Sequence, residues 1–260
     1  MPAFAELLAA ELRHNPGRPL LTFYDESTGE RVELSVTTYA NWVAKTASLL
    51  VEEHDLERGD VLLVDLPTHW LGPVFLGAAW TAGLAVAFPG TSADPAAVVC
   101  GPDGLAAWAP RAAQLPILAC ALLPMGLRFT EPLPPGVHDV GVEVWGQPDA
   151  FAPYDAPTGA DLALADAVVT QEELFSTSSA ASDAGAPRPS EPQSSTAAGS
   201  SRTATGGGRL LSTVNPASPP GATALSRALV SGDSLVLVAG ATPERLDGIA
   251  EAERVTHRFG

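Results

Sequence analysis

The sequence predicts an α/β fold: a mixed, mostly parallel sheet flanked by helices. Three observations carry this. Val61–Leu66 and Leu84–Phe88 are nearly continuous apolar runs, the pattern of strands covered on both faces. Residues 69–82, between them, form an apolar stretch of helical length that stops at Gly83. Strand, helix and strand at this spacing make a βαβ unit, so a parallel pair with a right-handed crossover is expected. Further strand-like runs follow at Ala97–Cys100, Ile117–Leu123 and Val140–Trp145.

The elements before this unit read in order. Residues 3–14 have amphipathic helical spacing and end at Asn15-Pro16-Gly17. Leu20–Tyr24, the turn DESTGE and Arg31–Leu34 read as a hairpin. Thr37 or Thr38 is expected to cap a helix reaching about His54, because Val43, Ala47 and Leu50 fall on one face. Gly59-Asp60 turns the chain into the first buried strand.

The later part divides around a change in composition. Thr170-x-x-Glu173 is a capping box that opens the short helix QEELF. Residues 176–208 are almost entirely Ser, Ala, Thr, Gly and Pro without periodicity. Such a tract cannot bury enough apolar surface to offset its ordering entropy, so it is expected to be a flexible internal linker. Beyond it, Arg209–Val214 reads as a strand, 223–230 as a helix, Ser234–Val238 as a strand and Pro243–Val255 as a helix. Residues 1–260 are expected to form a single domain interrupted by that linker.

Composition narrows the function classes. The 260 residues are 46% apolar and carry a formal charge of −16. An acidic surface repels nucleic-acid phosphates and anionic lipid headgroups, so neither is an expected partner. Residues 70–88 come nearest to a membrane span but are broken by Gly72, Pro73, Gly77 and Gly83. The N-terminal segment has acids among its apolar residues and no basic start, unlike a secretory signal. A cytoplasmic protein is expected, with Cys100 and Cys120 as buried free thiols. Lys45 is the only lysine beside thirteen arginines, and it is expected to face solvent.

Residues 20–90 resemble the N-terminal region of the acyl-adenylate-forming superfamily, which includes acyl-CoA synthetases, luciferases and peptide-synthetase adenylation domains. The matching text is a hairpin, then LSVTTYANWVAKTASLL, then LERGDVLLVDLPTHWLGPVFLGAAWTAGLAVAFPG. Leu34, Thr38-Tyr39, Ala40-Asn41, Gly59-Asp60, Pro67, Ala82-Gly83 and Pro89 stand in the family's order. Residues 209–260, with LVSGDSLVLV and PERLDGIAEAERVTHRFG, are similar to a later family segment. A small actinobacterial group of AMP-binding-like proteins of about this size is a further resemblance.

The resemblance implies ATP or AMP with Mg²⁺ as ligands, and adenylation of a carboxylic acid. That reaction needs donors on the phosphates, a metal ion, an acid on the ribose and a lid lysine. The family loop reads like SGTTGxPKG and is followed by a segment that Ala167–Leu174 resembles. By position the loop falls near Thr158-Gly159-Ala160, where the motif is gone. By text the nearest string is Ser195-Thr196-Ala197-Ala198-Gly199-Ser200-Ser201-Arg202, which is either linker or a degenerate phosphate loop. No counterpart of the YGxTE motif or of the lid is recognised.

Outside the resemblance, Asp65-Leu66-Pro67-Thr68-His69-Trp70 lies at the carboxyl end of a buried strand, where open α/β sheets place ligands. Thr68, His69 and Trp70 are therefore candidate binding residues, against the alternative of a strand-to-helix turn capped by Thr68. His14, His54, His69, His138 and His257 are scattered and show no metal-ligand spacing. Trp42, Trp70 and Trp80 are expected in the core. Three functional readings follow: a catalytically degenerate homologue that binds a nucleotide or a partner, an ATP-dependent ligase fragment completed by a partner, and a scaffold whose apolar surfaces are buried by oligomerisation.

Overall fold

A hairpin near the N-terminus and a βαβ core are joined here through helices shared by two sheets. The computed structural model describes residues 3–176 and 207–260. Helix α1 (Phe4–His14) leads into strands β1 (Pro19–Asp25) and β2 (Glu30–Ser35), the expected hairpin. Helix α2 (Val36–Ser48) starts immediately after β2. Its cap is therefore Ser35, whose hydroxyl accepts the Thr38 N–H, and not Thr37 or Thr38. The helix widens into a π turn over Leu49–Glu53 that ends at His54.

Strand β3 (Val61–Asp65), helix α3 (Leu71–Ala82) and strand β4 (Ala85–Ala87) form the predicted βαβ unit. β3 and β4 pair in parallel, Val61 opposite Ala85. In α3 every residue but Thr81 is buried, as a helix apolar on all sides requires. Gly77 lets it approach α2: a Cβ there would lie 2.6 Å from the Tyr39 hydroxyl. Gly83 ends the helix with φ at 81°, the left-handed cap that glycine adopts most cheaply.

Strands β5 (Ala97–Cys100), β6 (Ile117–Ala119) and β7 (Val137–Asp139), with the short helix α4 (Leu105–Trp108), continue the same sheet. The predicted strand Val140–Trp145 is instead helix α5 (Val140–Glu143) followed by a 3-10 turn. The Asp139 carboxylate accepts the Gly141 N–H and so starts a helix where the apolar alternation read as a strand. Strands β8 (Leu162–Leu164) and β9 (Val169–Thr170) and helix α6 (Gln171–Leu174) follow. The Thr170–Glu173 capping box is present in full.

After the undescribed stretch come β10 (Arg209–Ser212), α7 (Pro219–Ser231), β11 (Ser234–Ala239), α8 (Pro243–Ala252) and β12 (His257–Phe259). There are two sheets rather than one. The seven-stranded sheet has the order β7-β6-β5-β3-β4-β8-β9, and the five-stranded sheet has β12-β10-β11-β1-β2. Each is parallel except at one edge, β9 and β2 respectively.

The core explains how the sheets are held. One continuous apolar cluster takes Phe23 and Leu237 from the smaller sheet, Leu62, Val64 and Val99 from the larger, and the buried faces of α1, α2, α3 and α7. Those helices lie between the sheets. Smaller clusters cover the outer faces: Val98 and Ile117 with Leu105 and Trp108, and Val236 and Val238 with Leu246 and Ile249. Cys100 and Cys120 are free and buried. Trp70 and Trp80 are buried, and Trp42 is partly buried against the same cluster.

Candidate functional site

Parallel strands deliver their carboxyl ends together, and in this chain two sheets do so at one buried junction. β3 ends at Asp65, and the Leu66 carbonyl accepts a hydrogen bond from Asn215 Nδ2 at 2.8 Å, just beyond β10. That bond ties the strand ends of the two sheets. At this junction meet His69 and Trp70 from the β3–α3 connection, Phe23 from β1 and Glu30 from the start of β2. The His69 ring meets Phe23 edge-on at 5.0 Å.

The polar chemistry of this junction is incomplete. His69 Nδ1 accepts the Leu71 N–H at 3.2 Å, which assigns the ring proton to Nε2. His69 Nε2, Trp70 Nε1 and Glu30 Oε1 are all buried without a hydrogen-bond partner. His69 Nε2 and Glu30 Oε2 are 4.0 Å apart, and the two side chains are 5% and 7% exposed. Burial pushes the His69 pKa down to about 4, against the charge of Asp25, so the ring is neutral at pH 7. Burial, then the Asp25 charge, raises the Glu30 carboxyl above its ordinary value, and the Trp70 indole works in the opposite direction. Two donors and a carboxylate are thus desolvated and unsatisfied together, which is costly unless something completes them.

Thr68 is part-exposed at the mouth of this turn and does not cap α3. Trp70 occupies the N-cap position, without a side-chain cap. Trp70 packs against Trp42 at 5.0 Å, while Trp80 packs against Phe4 and Phe175, so the two tryptophans have different aromatic neighbours within one cluster.

Thr158 and Gly159 lie elsewhere. They precede β8, at the amino ends of the parallel strands, opposite to His69. The Thr158 N–H and hydroxyl both donate to Asp161 Oδ2, at 2.6 and 3.0 Å. Asp161 in turn takes two hydrogen bonds from Arg58, whose third goes to Asp155. Burial raises the Asp161 carboxyl, but the bonds from Arg58 and Thr158 outweigh it and hold the pKa below its ordinary value. Ser195, Thr196, Gly199 and Arg202 lie outside the described residues, as do residues 177–206 of the expected linker.

The turn at Thr158-Gly159 does not fit a magnesium triphosphate. Thr158's donors are already used by a carboxylate. Arg18, Arg31, Arg58, Arg209, Arg245 and Arg258 each sit against an acidic partner. Lys45 does not face solvent: its ammonium bonds the Gln147 carbonyl and lies 3.1 Å from Asp149 Oδ1, with the side chain 18% exposed.

The sequence points to Thr68, His69 and Trp70 as candidates but gives no sign of Glu30, whose place opposite His69 depends on sheet pairing. It also leaves the histidines unconnected. The structure brings His54 and His138 together with Glu143.

A protein of Mycobacterium tuberculosis described as a TIGR03089 family protein is 32% identical over 257 residues, covering 96% of this chain and 95% of its own length. The chain belongs to the TIGR03089 family. No protein-family model matches it. Solved structures place this TIGR03089 chain in the fold of acyl-CoA synthetase N-terminal regions. The Brucella canis acyl-CoA synthetase superposes with a TM-score of 0.75 at 18% identity, covering 99% of this chain and 47% of its own. The N-terminal domain of FACL13 from M. tuberculosis gives 0.68 at 15% identity, over 99% and 62%. Acetoacetyl-CoA synthetase from Streptomyces lividans gives 0.70 at 15%, over 98% and 42%. The chain thus spans about half the length of these enzymes, whereas the mycobacterial relative is comparably short. No helix among the described residues is long and apolar enough to cross a membrane.

Proposed function

We propose that this chain is a non-adenylating member of the acyl-CoA synthetase-like fold: a binding protein that uses the polar groups of Glu30, His69 and Trp70. The observation that carries this reading is a turn. In the family that residues 20–90 resemble, a Ser/Thr/Gly-rich phosphate loop precedes the segment that Ala167–Leu174 resembles. Here the strands β8 and β9 are joined directly by Ala165–Val168, closed by a hydrogen bond from the Val168 N–H to the Ala165 carbonyl. A loop of the SGTTGxPKG kind has no room between Leu164 and Val169. The turn residues carry no hydroxyl and no cation, and Asp166 adds a negative charge. Val168 holds φ at 51°, a strained setting for a β-branched residue that fits a tightly shortened connection.

The buried junction supports the binding half of the reading. Its neutral imidazole, indole N–H and carboxylate suit a small polar group with both donor and acceptor character, or the backbone of a partner, better than a polyphosphate.

A ligase fragment completed by a partner is the second reading. It draws on the 47% coverage of the Brucella enzyme. Calorimetric titration with ATP·Mg²⁺, AMP and CoA tests the proposal. The expected result is no saturable binding of ATP·Mg²⁺. Saturable binding that disappears in Arg202→Ala would locate a phosphate site around Ser195–Arg202 and favour the ligase reading.

A further inference from the structure

The π turn that closes α2 carries the chain to the edge of the larger sheet. There His54 at the end of that turn, His138 of β7 and Glu143 of α5 converge from positions that no local spacing connects. We propose that these three side chains form a site for a divalent first-row transition metal of the zinc class.

The geometry supports this first. One ligand atom from each residue lies within 4.8 Å of the others. Glu143 Oε2 is 3.1 Å from His54 Nε2, and Glu143 Oε1 is 3.0 Å from His138 Nδ1. A tetrahedral zinc ion with bonds of about 2.0–2.1 Å separates its ligand atoms by about 3.4 Å. The two nitrogen–oxygen distances, each to a different oxygen of Glu143, are within a few tenths of an ångström of that value. The imidazole rings stand edge-to-face, 4.5 Å apart at 78°.

The donor set supports it second. Two imidazole nitrogens and one carboxylate oxygen match zinc, cobalt, nickel or copper, whereas calcium and magnesium take oxygen sets. Three protein ligands leave a coordination position for water or a ligand. His54 is the anchored member, with its side chain 5% exposed, while Glu143 and His138 at 32% and 38% leave a path from solvent.

The surroundings supply charge and order. Ser48 donates to Gln147 Oε1 at 2.9 Å, and Gln147 Nε2 donates to Glu53 Oε1 at 3.2 Å. This chain holds Glu53 beside His54, where its charge acts on the ring. Burial, then the charge of His138, nevertheless keeps the His54 pKa below its ordinary value.

The test uses the full chain after chelator treatment. Co²⁺ is added while its visible d–d absorption is followed, and Zn²⁺ affinity is read by competition with a chromophoric chelator near neutral pH. One tight site is expected, indifferent to excess Mg²⁺ or Ca²⁺, and Zn²⁺ raises the melting temperature. His138→Ala, at a part-exposed position, keeps the native circular dichroism and weakens Zn²⁺ binding about tenfold or more. Glu143→Gln does the same, and the double variant His54→Ala/His138→Ala shows no tetrahedral cobalt band. Unchanged affinity in His138→Ala and Glu143→Gln overturns the proposal, because the metal then binds elsewhere. A wild-type chain with no cobalt band overturns it too, and leaves the cluster as hydrogen bonds fixing α5 to the end of α2.

Discussion

His69 Nε2 and Glu30 Oε2 face each other at 4.0 Å across the junction of the two sheets, with no hydrogen bond between them. The relationship has a thermodynamic signature. In the folded chain the His69 pKa is about 4, against 6.5 for the ordinary side chain. As pH falls through that window the unfolded chain takes up a proton that the folded chain refuses, so folding weakens as pH falls. The stability His69 contributes is complete above pH 6.5 and lost by about pH 4. Glu30, with a raised pKa, acts with the opposite sign, so the comparison must isolate His69.

We therefore predict that the stability of the wild type, minus that of His69→Gln, falls between pH 6.5 and 4 by up to about 3 kcal/mol. Urea unfolding midpoints across this range check it. Parallel curves would show that the ring is solvated or already paired.

Gln171 offers a sharper test of the packing. Its side chain is fully buried. Its Oε1 accepts the Phe4 N–H at 3.0 Å and its Nε2 donates to the Trp80 carbonyl at 3.0 Å. One side chain thus satisfies backbone groups of α1 and α3. Gln171→Leu leaves the Phe4 N–H orphaned, at about 1–3 kcal/mol, while the Trp80 carbonyl keeps the Gly83 N–H. We expect a loss of about 1–3 kcal/mol by denaturant titration and faster amide exchange at Phe4.

Val64 lies fully buried in β3, opposite Val99 of β5. Val64→Asp places an unpaired carboxylate in the centre of the larger sheet, a loss of about 4 kcal/mol or more. Expression is expected to yield no soluble folded protein. A well-folded variant with native circular dichroism would contradict the assignment of this strand to the core.

The legible part of the fold was the part encoded locally. The apolar runs at 61–66 and 84–88, the helix between them and the Thr170–Glu173 capping box are written in consecutive residues, and each is present. The division into two sheets is not local: it depends on β1 pairing with β11, where Leu21 meets Leu235. Val140–Trp145 misread for a definite reason, since its alternating valines mimic a strand until the Asp139 cap is taken into account. The site divides the same way. His69 and Trp70 stand at a strand end that the text exposes. Glu30 reaches them through a hairpin and sheet contact, and His54 meets Glu143 from 89 residues away.

The central claim is that this chain does not activate carboxylic acids by adenylation. ATP–pyrophosphate exchange with a panel of carboxylic acids tests it most directly. Each lost transition-state donor typically lowers the rate about 10²–10³-fold. The turn at Ala165–Val168 leaves no place for the phosphate loop between β8 and β9, and Lys45 is engaged by Asp149 and the Gln147 carbonyl. The account predicts exchange indistinguishable from the protein-free control. Exchange above that control that disappears in Arg202→Ala would contradict it.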